Sequence, residues 1–72
     1  MHFVYVVSDS SRQQVRAFES ALQAVVEAAF IVFQERNTLK ASQDSWKVRS
    51  GEKLIYAAPF RVVTVQQVAI ED

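Results

Sequence analysis

The sequence predicts an α+β fold: one small two-layer domain in the order β-α-β-β-β, with a long helix packed on an antiparallel sheet. Three observations lead to this prediction. Residues 3–7 alternate aromatic and β-branched side chains, residues 11–36 contain no Gly, Pro or Asn, and residues 46–68 hold short β-prone runs interrupted by Gly51 and Pro59. With 72 residues, half of them hydrophobic, the chain has the size and composition of a single domain, residues 1–72.

The first predicted strand, residues 3–7, is apolar on both faces. The side chains of Phe3, Tyr5 and Val7 lie on one side, and those of Val4 and Val6 lie on the other. This pattern is typical of an interior strand, or of a strand that is covered on both faces.

The helix prediction rests on apolar residues that recur at steps of three and four from Val15 to Phe33. Ser10 and Ser11 are candidate N-caps, since each has a Gln three positions later. A helix that continued to Arg36 would have ~26 residues and ~39 Å, longer than the ~29 Å diameter of a compact chain of this size. Either the helix continues and buries its end against another chain, which we favour, or it stops near Ala28 and residues 29–34 form a strand.

The end of this helix is apolar all round, so it needs cover on every side. We therefore expect a homodimer or a protein partner to bind there. The candidate interaction residues at this helix end are Val26, Phe30, Ile31 and Phe33.

The region after Asn37 is predicted to be a polar loop or short helical turn up to Ser45, followed by strands. Residues 46–49 and 53–57 alternate on either side of Gly51, which indicates a hairpin. Alternation would turn Trp46 inward, where we expect it to be buried. Residues 60–68 are expected to form a further strand.

The net charge is zero, but residues 36–61 carry six basic and two acidic side chains. Within them, a possible basic contact face consists of Lys47, Arg49, Lys53 and Arg61. Basic residues next to aromatic rings on a sheet can bind single-stranded nucleic acid. An alternative function is therefore weak single-stranded nucleic-acid binding through residues 46–61.

Catalytic and metal-binding constellations are sparse: the chain has one His, no Cys and one Gly. It therefore lacks the components of a catalytic triad, a His- or Cys-rich metal site or a phosphate-binding loop. We expect no enzyme activity, no metal and no cofactor. The cysteine-free composition favours a reducing compartment, hence the cytoplasm, and the longest apolar run, residues 28–33, is too short to cross a membrane.

The function that these observations favour is a small non-enzymatic protein-interaction module that self-associates. Such a module could inhibit, adapt or modulate a larger protein, as many short chains of phages and mobile elements do.

Overall fold

The computed structural model describes residues 1–71, which form a four-stranded antiparallel sheet with two helices packed on one face. The elements are β1 His2–Asp9, β2 Gln14–Phe18, α1 Ala21–Phe33, α2 Thr38–Arg49, β3 Leu54–Ala58 and β4 Arg61–Ile70. The strands lie in the order β2-β1-β4-β3. The α+β class is confirmed, but the order is β-β-α-α-β-β instead of the predicted β-α-β-β-β.

Strand β1 is an interior strand, as its two apolar faces predict. It pairs with β2 on one side, from Tyr5 opposite Phe18 to Asp9 opposite Gln14. On its other side it pairs with β4 along its whole length, with Val7 opposite Val65.

The prediction that a long helix begins near Ser11 is wrong, because residues 14–18 form β2. The chain reverses at Gln13, whose φ of 52° lies in the left-handed region, and the hairpin places β2 beside β1. Helix α1 begins only at Ala21, where the side chain of Ser20 accepts a hydrogen bond from the Gln23 amide at 3.4 Å.

The end of α1 resolves the two alternatives left open by its length. The helix ends at Phe33, and Gln34 adopts a left-handed conformation while its amide donates to the Phe30 carbonyl at 2.8 Å. Residues 29–33 are therefore helical, and the strand alternative is wrong. A helix of 13 residues is about 20 Å long, so it does not overhang the domain, and the favoured expectation of a helix that continues to Arg36 is also wrong.

A second helix, α2, replaces the predicted loop and the first arm of the predicted hairpin. The Asn37 side chain caps it by accepting a hydrogen bond from the Lys40 amide at 3.1 Å. Its buried side consists of Ala41, Ser45 and Val48, and these residues are too small and polar to produce a recognisable apolar stripe. The hairpin is instead β3–β4, which turns at residues 59–60.

The core lies between the helices and the inner face of the sheet, and it is built from small side chains. The largest fully buried ones are four valines, Val25, Val48, Val63 and Val65. The domain has a Cα radius of gyration of 11.5 Å and extents of 37 × 27 × 16 Å, so it is thin in one direction. No helix within residues 1–71 is long and apolar enough to cross a membrane.

Neither helix of the described residues packs on the opposite side of the sheet, which we call the outer sheet face. Strand alternation and register place thirteen strand residues there: His2, Val4, Val6, Ser8, Val15, Ala17, Ile55, Ala57, Val62, Thr64, Gln66, Val68 and Ile70. Nine are apolar, and four are polar residues other than Asp, Glu, Lys and Arg.

Candidate interaction surface

The most exposed apolar side chains of the helix layer lie along one side of α2. Leu39 is 79% exposed and Trp46 is 68% exposed. They are seven residues apart, about two helical turns, with Gln43 between them. We call these three residues, with Lys40, Lys47 and Arg49 beside them, the α2 outer surface.

The prediction that Trp46 is buried is wrong, because it depended on strand alternation. The buried side of helix α2 consists of Ala41, Ser45 and Val48, and helical spacing places Trp46 on the opposite side, where it is exposed. Leu39 was likewise not expected to contribute, because it lay in the predicted polar loop or short helical turn. The seven-residue spacing of Leu39 and Trp46, read together with the Asn37 cap, is the signal that could have found both.

The α2 outer surface carries only positive charge. Helical spacing places Lys40 and Lys47 on one flank of Trp46 and Arg49 on the other. The Arg49 guanidinium carbon lies 5.8 Å from the centroid of the Trp46 ring, which is within cation–π range. Asp44, the only carboxylate of α2, is turned inward and accepts a hydrogen bond from the Tyr56 hydroxyl.

The Asp44–Tyr56 hydrogen bond joins α2 to strand β3. Burial raises the pKa of Tyr56 above its ordinary value, and the hydrogen bond to the negatively charged Asp44 raises it further. The ring of Tyr56 also contacts Phe33 edge-on, with the ring centroids 5.6 Å apart. Tyr56 therefore anchors both helices to edge strand β3: α2 through the Asp44 hydrogen bond and α1 through the Phe33 ring.

The predicted helix-end residues are not gathered in one patch. Phe30 and Phe33 are 38% and 53% exposed, and with half-buried Val26 they lie on the side of α1 away from its buried residues. Ile31 lies about 100° further round α1 from Phe30, where it lines one shallow depression with Phe60 and another with Phe30.

Two cations cover the exposed rings of α1. The Arg36 guanidinium lies 4.8 Å from the centroid of Phe30, and the Lys40 ammonium lies 5.7 Å from that of Phe33. These contacts partly shield the rings from water and add positive charge above them.

The predicted basic face is not a strand face, because Lys47 and Arg49 are helical and Lys53 lies in the link between α2 and β3. Arg61 opens β4 and has a structural role. Its Nε lies 2.9 Å from Ser11 Oγ and 3.5 Å from Asp9 Oδ1, and one terminal nitrogen donates to the Ile31 carbonyl at 3.0 Å. Arg61 thus joins both hairpin turns to the end of α1.

Asp9, the partner of Arg61, is buried with 5% exposure. Burial by itself would raise the pKa of its carboxyl. Asp9 accepts two hydrogen bonds from Ser11, from the amide at 3.1 Å and from the hydroxyl at 3.0 Å. These bonds and the nearby positive charge of Arg61 lower the pKa by more than burial raises it. The pKa of Asp9 is therefore lowered below its ordinary value.

Residues 1–71 contain no group of three His, Asp or Glu side chains placed to hold a metal ion. The groove between α1 and α2, lined by Ala29, Phe33, Lys40 and Ala41 among others, has a volume of about 220 Å³ and is partly open to solvent. Comparison with known proteins finds no family model, no curated protein and no solved structure that matches this chain.

Proposed function

We propose that this chain is a small non-enzymatic protein-interaction module that binds an acidic segment of a larger protein on its α2 outer surface. The observation that carries the proposal is the exposure of Leu39 and Trp46 between cations, while Asp44 is turned into the domain. Such a module would act as an inhibitor, adaptor or modulator of its partner.

The apolar pair supplies the affinity in this proposal. Tryptophan is enriched among residues that dominate binding energy, because it buries a large rigid surface at little entropic cost. Trp46 retains 68% of its exposure in the free domain, so most of that surface is available to a partner. The nearby Arg49 guanidinium also restricts the ring before binding.

The cations determine the kind of partner. Lys40, Lys47 and Arg49 surround the apolar pair with no exposed carboxylate on the same helix, so a negatively charged partner is attracted and a positively charged one is repelled. The spacing of Leu39 and Trp46, about 10 Å along the helix axis, fits an amphipathic helix with two apolar residues seven positions apart. An acidic amphipathic helix therefore matches both the charge and the spacing.

A second candidate function is single-stranded nucleic-acid binding at the same surface. The specific observation in its favour is that Trp46 is exposed next to Arg49, since an accessible ring can stack on a base. Three cations could contact about three phosphates, which predicts a log–log salt slope of roughly −2 for a single strand.

Binding to designed probes separates the two functions. The first probe is a labelled amphipathic peptide with glutamates along one side and two leucines seven residues apart; its control has lysine in place of each glutamate. The second is a labelled oligothymidine strand. We expect micromolar binding of the acidic peptide, a blue shift in the emission of the single tryptophan, and no binding of the lysine peptide.

Variants locate the binding site. Trp46→Ala and Lys47→Glu should each weaken peptide binding by at least about tenfold, whereas Phe60→Ala, which removes an exposed ring elsewhere on the surface, should change nothing. Acidic-peptide binding that is absent, or that survives both α2 substitutions, would refute the proposal. Preferential binding of oligothymidine that depends on Trp46 would establish the second function in its place.

A further inference from the structure

The outer sheet face has the composition of a buried surface, although no element within residues 1–71 covers it. Its more exposed apolar residues include Val15 at 67%, Ile55 at 56% and Val62 at 41%. None of the strand residues described on this side is Asp, Glu, Lys or Arg. Antiparallel sheets with one wet face instead alternate apolar and polar residues.

The central strand β1 shows the same requirement in its sequence. Strand β1 carries Val4 and Val6 on the outer side, and Tyr5 and Val7 on the inner side. The helices cover only the inner side. Apolar residues on both sides of a strand predict a sheet that is buried on both faces, and the helices of this fold bury only the inner one.

We infer that the outer sheet face binds the outer sheet face of a second copy of this chain, giving a face-to-face homodimer with both helix layers on the outside. This inference concerns a different surface from the α2 outer surface and does not depend on the proposed function.

A second copy suits this face because the face is self-complementary. Its polar centre consists of Ser8 opposite Thr64 and Gln66 opposite Val6 on the two middle strands. Hydroxyl and amide groups both donate and accept hydrogen bonds, so these polar groups can pair with one another across a two-fold axis, where each contact occurs twice. Because the described strand residues of this face include no Asp, Glu, Lys or Arg, stacking two such faces buries no carboxylate, ammonium or guanidinium group without a partner. His2 lies at the first position of β1, at the rim of the face.

The size of the face is also sufficient for a dimer. Four strands spaced ~4.8 Å apart, with an eight-residue β1, give a footprint of about 500 Å² per copy. Two copies would bury about 1,000 Å² in total, which is the lower bound expected of a specific interface. The small valine-rich core gives the isolated domain little other apolar burial, so a second apolar layer would add substantially to it.

Self-association through the helix end is less favourable than through the sheet. Arg36 and Lys40 lie over the rings of Phe30 and Phe33. Two copies meeting there would bring four cations together in a partly dehydrated contact, which is repulsive.

Sedimentation equilibrium between about 1 and 100 μM tests the inference directly. We expect a dimer for the full chain. Val68→Lys, at a position on β4 that is 38% exposed, should weaken dimerisation at least about a hundredfold, because the two-fold axis introduces the charge twice. Leu39→Lys, on the helix layer, is the matched control and should leave the dimer intact. A monomeric wild type at 100 μM would refute the inference.

A distance measurement keeps the test decisive if Val68→Lys fails to fold. The chain has no cysteine, so Gln43→Cys provides a single spin-label site on the α2 outer surface. Two domains, each 16 Å thick and stacked through their sheets, place the two labels about 30 Å or more apart. Labels closer than about 20 Å would indicate a helix-mediated dimer and overturn the inference.

Discussion

The two faces of the sheet are made by the same strands, yet among the described strand residues only the inner face carries Asp or Arg side chains. The inner face carries charged residues near its rim, and the described ones are paired: Asp9 with Arg61, and Arg16 with Glu27 on α1 at 3.3 Å. Its two tyrosines are also hydrogen-bonded, with Tyr5 accepting from Gln67 at 3.2 Å. The outer sheet face has no Asp, Glu, Lys or Arg among its strand residues.

This difference shows two ways of specifying a buried surface. The inner face is closed by helices within the chain, so polar contacts at fixed points set where α1 and α2 lie. The outer face has no such anchors and would be closed by apolar matching and uncharged hydrogen bonds. Substitutions on the inner face should therefore change the stability of the domain, whereas substitutions on the outer face should change its association.

The largest effect is expected at the Asp9–Arg61 contact. Arg61→Ala removes three contacts and leaves a buried carboxylate without its guanidinium partner. We expect a loss of about 3 kcal/mol in the free energy of unfolding at neutral pH, measured by urea denaturation. This is a large part of the stability of a small domain.

Arg16→Ala is the matched control, because it breaks an ion pair in which the Arg16 side chain is 60% exposed. That substitution should cost less than about 1 kcal/mol. Equal losses for the two variants would mean that the inner face does not depend on its buried anchor, and the contrast between the two faces would weaken.

The sequence was sufficient for those parts of the fold in which the local pattern has a single interpretation. Residues 3–7 alternate over two apolar faces, and β1 is an interior strand. The β-branched run at Val62, Val63 and Val65 lies in strand β4, as expected. In both segments, burial and β propensity favour the same conformation.

The sequence was insufficient where two periodicities fit the same residues. Val15 and Phe18 are three positions apart, which suits a helix, but pairing with β1 makes residues 14–18 a strand. Helix α2 was missed because its buried side is Ala41, Ser45 and Val48, which gives little apolar signal. The exposed position of Trp46 follows from that helix, so the candidate surface could not be predicted before α2 was known.

Valine-to-alanine substitutions compare the two faces directly at intermediate magnitude. Val65 is fully buried on the inner face, and Val65→Ala should cost about 2 kcal/mol from lost burial and the resulting cavity. Val68 lies three residues further along the same strand and therefore on the outer face, where it is 38% exposed. Val68→Ala should cost less than about 1 kcal/mol in the monomer.

The concentration dependence of thermal unfolding distinguishes the two valine variants further. The wild type and Val65→Ala should both melt at higher temperature as protein concentration increases, because dimerisation stabilises the folded chain. In Val68→Ala this dependence should be reduced. A reduction of the same size in Val65→Ala alone would place the self-association surface on the helix side of the sheet.

A smaller effect than that of Val65→Ala is expected at the Tyr56 hydroxyl, which tests whether the inner face holds its polar groups as described. Tyr56→Phe removes the hydrogen bond to the Asp44 carboxylate and should cost about 1.5 kcal/mol at neutral pH. Because the pKa of Tyr56 is raised in the folded state, the unfolded chain loses this proton first as pH increases. The stabilisation by Tyr56 is therefore complete below about pH 10, the ordinary tyrosine value, and is lost progressively above it.

Urea denaturation should show a steeper alkaline loss in the wild type than in Tyr56→Phe, and Asp44→Asn should move the phenolate absorbance of Tyr56 to lower pH. If the wild type and Tyr56→Phe instead lost stability in parallel above pH 10, Tyr56 would not be anchored by Asp44, and the polar closure assigned to the inner face would fail at this edge of the sheet.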